Sequence, residues 1–115
     1  MRIKFSSSLL ETVMSKNELD AKIGAAWQSH YNKKYEVAVE QFSKLVSENP
    51  DNIDANWGLG LAARRVGDKG KALQAFEKVR DLVAAALDAE SEDYERYFML
   101  QRMVKQQIEQ MGDFI

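Results

Sequence analysis

Residues 57–68, "WGLGLAARRVGD", hold the types and spacing in this sequence that come closest to doing chemistry. Gly58, Gly60 and Ala63 fit the G-x-G-x-x-A spacing of a dinucleotide-binding turn, whose backbone amides meet a pyrophosphate at a helix start. Glu77 stands near the place where such a fold sets an acid against a ribose. That reading predicts a nucleotide-binding enzyme, and it demands a strand ahead of Gly58. What precedes Trp57 is Pro50-Asp51-Asn52, a helix stop followed by a helix cap. The competing reading is one helix whose glycines admit a close neighbour.

Other chemistry finds little material. His30 is the single histidine and there is no cysteine, so no thiolate nucleophile and no imidazole–thiolate metal cluster is available. Asp88, Glu90, Glu92, Asp93 and Glu95 crowd one link, but a hard-cation loop usually needs a glycine and this run has none. The run solvates the link and favours the following helix start through its dipole. No catalytic residue, metal ligand or cofactor is expected.

Composition sets the frame around these residues. A chain of 115 residues with 45% hydrophobic and 30% charged residues is expected to form one soluble domain, 1–115. A formal charge of −2 offers no general attraction to nucleic acid or to an anionic membrane. No apolar run is long enough to span a bilayer, and Glu11 interrupts the place of a signal core. The expected location is cytoplasmic.

The elements that position the residues come from a repeat. A shift of 34 residues lays 19–50 over 53–84, pairing Asp20/Asp54, Ala21/Ala55, Gly24/Gly58, Ala38/Ala72, Phe42/Phe76 and Lys44/Lys78. The pairs are mostly small or apolar, where packing constrains residue type. Each block predicts two helices. Ser15 with Glu18 has capping-box spacing for a helix to about Tyr31, and Asn32-Lys33-Lys34 makes a turn into a helix from Tyr35 to about Glu48. Asp51 or Asn52 caps a helix over about 53–66, and Gly67-Asp68 stops it and caps the next from about Lys69. With no proline to end it, the fourth helix extends through "RDLVAAALDAE".

Ala38-x-x-x-Phe42 with Pro50, then Leu59-Gly60, Gly67-Asp68 and Ala72-x-x-x-Phe76, resembles the tetratricopeptide repeat family over about 66 residues. The chain departs from that pattern at Lys22 and Asn56, where the family has tryptophan, and at Ser29, Ala63 and Ala84. The resemblance implies an all-α, right-handed α-solenoid of antiparallel helix-turn-helix units: repeat 1 over 16–50, repeat 2 over 51–88 with an extended second helix, and a capping helix over 91–112. Residues 1–15 are expected to be an arm or a short helix. Phe42 and Phe76 are expected to fill the space between successive repeats.

The resemblance also places a concave groove on the first helix of each repeat. Helical spacing puts Ile23, Trp27, His30 and Tyr31 on that face in repeat 1, and Trp57, Leu61, Arg64 and Arg65 in repeat 2. Such faces usually bind peptides, which implies an adaptor, scaffold or assembly factor and no enzyme. The lysines and asparagines with which the family's chaperone binders clamp a peptide carboxylate are replaced by Ile23, Trp27, Trp57 and Leu61. The expected ligand is therefore an apolar or amphipathic protein segment, with an acidic residue near Arg64 or Arg65.

Ser91 is a candidate cap for the last helix. There Tyr94, Tyr97, Phe98, Val104, Ile108 and Met111 form an apolar stripe expected to cover repeat 2. Met99 and Met103 lie opposite and suggest a self-association surface, hence a possible homodimer. In the alternative, the module is structural and its own or a neighbouring chain's helix fills the groove.

Overall fold

The computed structural model describes residues 15–89 and 93–112, and all regular structure among them is helical. Five helices follow one another: α1 (Lys16–Tyr31), α2 (Tyr35–Glu48), α3 (Ile53–Val66), α4 (Lys69–Asp88) and α5 (Tyr94–Gly112). The arm or short helix expected over 1–15 falls, but for Ser15, outside the described residues, as does the proposed cap Ser91.

Local chemistry explains the boundaries. Ser15 Oγ accepts from the Glu18 amide, Asn52 Oδ1 from Ala55 and Asp68 Oδ1 from Lys71, each satisfying an amide that the first helical turn leaves unpaired. Gly67 ends α3 in the left-handed region at φ 86°, and its amide and that of Asp68 close the last turn on Arg64 and Ala63. The α1–α2 turn bends at Lys33, φ 64°, a conformation uncommon for a residue with a Cβ. Asn56, where the family has tryptophan, is buried, and its amide donates to the carbonyls of Pro50 and Asn52. A polar side chain thus pins the loop from inside the start of α3.

Each helix packs on the next, and α1 also touches α3. The turns are a few residues long, which sets neighbours antiparallel. Near the start of α3, Asp54 pairs with Arg96 near the start of α5; near its end, Arg64 donates to Gln107 and Gln110. Start meets start and end meets end, so α5 runs alongside α3 in the same direction. Helices α1, α3 and α5 form one layer, with α2 and α4 behind them, in a helical-repeat arrangement.

Two clusters make the core, and α3 serves both. The first holds Ile23, Ala26, Ala38, Phe42, Leu45 and Leu59; the second holds Phe76, Val79, Val83, Leu100, Val104 and Met111. Gly58 and Gly60 lie two residues apart on a helix, hence on nearly opposite sides of it. A Cβ on Gly58 would stand 2.3 Å from the Phe42 ring, and one on Gly60 would stand 2.4 Å from the Phe76 ring. The two phenylalanines press α3 from both flanks, and each contributes about 2–3 kcal/mol by leaving water. Phe42 does bridge repeat 1 to repeat 2. Phe76 packs on Gly60 and 5.5 Å from the Trp57 ring, in the cluster that also holds Leu100, Val104 and Met111 of α5.

The last helix corrects the expected stripe. Tyr94 and Phe98 are each 47% exposed and stack on one another at 6.4 Å, while Leu100, outside the stripe, is 8% exposed in the core. Val104 and Met111 are buried as expected, with Tyr97 and Ile108 packed beside them. The buried face is rotated away from Tyr94 and Phe98 because α5 leans on α4. No helix of the described residues is long and apolar enough to cross a membrane.

Candidate functional site

The dinucleotide reading fails on geometry. Gly58 and Gly60 lie inside α3 with helical backbone, and a phenylalanine ring occupies the space against each where a phosphate would need to sit. Their amides are spent on the helix ladder. Among the described residues there is no strand ahead of them and no cluster of three metal-ligating side chains.

Four of the eight expected groove residues do converge. His30 from α1, Leu61, Arg64 and Arg65 from α3, and Gln107 from α5 line an open cleft of about 610 Å³. Beside it the chain builds a cluster of rings. Trp27 stacks on Tyr31 at 5.8 Å and meets His30 edge-on at 5.5 Å; His30 in turn meets Tyr35 at 5.1 Å. These contacts follow from the spacing of Trp27, His30 and Tyr31 along α1, which brings them onto adjoining turns. Tyr35 reaches the same place from the start of α2.

The remaining expected residues take other places. Ile23 is buried in the first core cluster. Trp27 is partly buried and reaches Phe42 at 5.2 Å, so its inner edge is core and its outer edge belongs to the ring cluster. Tyr31 is 71% exposed. Trp57 packs on the second cluster, and its free side lines a separate depression with Asp54, Arg96, Met99, Leu100 and Met103. The groove is therefore divided. Beside Trp57 it is flanked by α5, and beside Leu61, Arg64 and Arg65 it is open.

Charge in the open half is unbalanced. Arg64 donates to two neutral amide oxygens, Gln107 Oε1 and, at 3.1 Å, Gln110 Oε1. Arg65 lies over the Tyr35 ring, 5.1 Å from its centroid, a cation–π contact that leaves its charge unneutralised. Neither guanidinium meets a carboxylate among the described residues. Partial burial, with Arg65 nearby as the lesser cause, holds the His30 imidazole below its ordinary pKa, so the neutral ring is favoured. Its Nδ1 is buried without a hydrogen-bond partner among the described residues. Buried polar atoms without partners are uncommon in folded proteins.

Gln107, Gln110 and Tyr35 are the site residues that helix-by-helix reading misses. A glutamine carries no functional signal in a sequence, and its pairing with Arg64 requires α5 to be docked first. Met99 and Met103 are exposed, as a self-association surface requires. No family model, curated protein or solved structure matches this chain.

Proposed function

We propose that the chain is a cytoplasmic, non-enzymatic protein–protein interaction module of the tetratricopeptide type, an adaptor or assembly factor. Its open cleft takes an apolar or amphipathic segment that carries an acidic residue. One observation carries the reading: two arginines face a concave surface with only neutral partners. A carboxylate placed there replaces a neutral amide acceptor by a charged one, and its two oxygens can take the guanidinium bidentately. Leu61 supplies an apolar floor, and the rings of Trp27, Tyr31 and Tyr35 supply rigid contact area at small entropic cost. Arginine and tryptophan are also the residues most often found to dominate binding energy at interfaces.

The cleft is short, so a single segment is expected to bind with Kd around ~1–100 µM. Selection from a random peptide display library tests this. Sequences combining Asp or Glu with aromatic or aliphatic residues are expected to enrich on the wild type, and Arg64→Glu/Arg65→Glu should lose them. Enrichment that ignores charge, or that survives the double substitution, sinks the proposal.

A further inference from the structure

The large hydrophobic side chains left exposed among the described residues gather in two places. Tyr31, Val37 and Val66 surround the open end of the cleft, where Val37 and Val66 share a depression with Lys33, Lys34 and Arg65. Tyr94, Phe98, Met99 and Met103 stand on α5. Each apolar place is flanked by charge, the first mostly by cations and the second by acids at its start with Arg96 and Arg102 further along. The first is ringed by Arg64, Arg65, Lys33 and Lys34, with Glu36 as the acid among them. The second begins with Asp93 and Glu95, and leading into it the sequence adds Glu90 and Glu92.

Of the acids at the start of α5, Asp93 acts on Arg96 by charge and Glu95 is left over. Arg96, the nearest cation, is committed to Asp54 at 2.5 Å, and that hydrogen bond holds its pKa above the ordinary value. Glu95 forms no ion pair among the described residues. The start of α5 is thus an acidic helical turn with a stacked Tyr94–Phe98 pair, the chemistry that the cleft is built to accept. The two patches lie at opposite ends of the helices. The cleft sits where α1 and α3 finish, and the acidic aromatic turn sits where α5 begins.

We propose that a second copy of this chain occupies the cleft, placing its Glu95 against Arg64 and Arg65 and its Phe98 on the Leu61–Tyr35 side. The inference rests on reading the cleft as a binding site, and it names the occupant. Because the two patches do not overlap, the contact is between unlike surfaces. It closes into a dimer when made twice about a two-fold axis and propagates head to tail otherwise. Salt weakens it, since the pairing charges are exposed in the free chain.

Sedimentation equilibrium on the full chain, with reversed charges, tests the pairing. From about 10 µM to about 1 mM, the range in which weak contacts are populated, the wild type is expected to rise above the 13.1 kDa of one chain. Arg64→Glu/Arg65→Glu and Asp93→Lys/Glu95→Lys should each remain at one chain's mass, with the helical circular dichroism of the wild type. An equimolar mixture of the two should associate again, because the reversed ends pair crosswise. Phe98→Ser, which removes a half-exposed ring outside both core clusters, should weaken association at least ~10-fold without altering charge.

A mixture that stays at one chain's mass overturns the proposal, and so does a Phe98→Ser variant that associates like the wild type. A wild type that remains a monomer yet still selects acidic aromatic peptides overturns self-occupancy alone. A monomer that selects none overturns the cleft reading with it.

Discussion

Gly58 and Gly60 illustrate how a residue's role depends on what stands opposite. A glycine inside a helix costs about 0.5–1 kcal/mol relative to alanine, so two in one α3 call for a compensating contact. The compensation is the approach of Phe42 and Phe76, neither of which has room to retreat because both rings are fully buried. Replacing Gly58 by alanine gains about 1 kcal/mol of helix propensity but forces a Cβ into the Phe42 ring. Overpacking of this kind costs about 1–3 kcal/mol, so Gly58→Ala is expected to be destabilising. Gly24 occupies the matching position of repeat 1, where nothing lies within 4 Å of an added Cβ. There the same substitution should stabilise by about 0.5–1 kcal/mol. Urea unfolding of both variants checks the pair, and equal signs would refute the packing role. Repeat position alone could not separate these two glycines. The difference arises because α2 packs against Gly58 while no helix precedes α1 among the described residues.

At the scale of the element, α5 shows where sequence reasoning stops. Its amphipathicity was legible, and so were its covering role and the burial of Val104 and Met111. Its rotation was not. Tyrosine and phenylalanine broaden an apolar stripe on a helical wheel, and no repeat partner exists beyond residue 84 to fix the phase. The packing against α4 turned Leu100 inward and left Tyr94 and Phe98 to solvent. Leu100→Ala should therefore cost about 2–4 kcal/mol by opening a cavity. Phe98→Ala should cost no more than about 0.5 kcal/mol, as for other surface substitutions. Thermal unfolding of the two variants distinguishes the observed rotation from the expected one, and the order of the two effects decides it. The other helices offered stronger signals. Ser15, Asn52, Asp68 and Gly67 mark their ends by hydrogen bonds made within three or four residues, which any reader of the chain could find.

Across the whole molecule, cations from separate helices gather at one rim. Lys33, Lys34, Arg64 and Arg65 collect where α1 and α3 finish, and His30 sits among them. The two groups come from different helices, α1 with its following turn and α3, yet they share one rim in space. One consequence is a pH dependence of global stability. His30 titrates below its ordinary value of 6.5 in the fold, so above pH 6.5 its neutral ring contributes fully. Below that pH the unfolded chain takes up the proton first, and the contribution fades as pH falls through the depressed folded value. His30→Gln should remove this step from a profile of urea midpoint against pH. With a single histidine in the chain, the imidazole resonance reports the titration directly. An acidic segment seated in the cleft should raise that pKa, and an unchanged titration would argue against contact with His30.

The sequence by itself determined the helical class, the ends of the four repeat helices, and the small-residue packing of α3. Those features depend on caps, turns and periodicities that act over a few residues. Helical spacing also put Leu61, Arg64 and Arg65 on one side of α3, and the resemblance to a helical repeat put His30 of α1 beside them. Only the tertiary structure decided that Ile23 belongs to the core, that Trp57 is flanked by α5, and that Arg64 rests on Gln107 and Gln110. Each of these depends on the angle and rotation at which one helix meets another. That geometry is settled by the summed packing of many side chains, and no single segment encodes it.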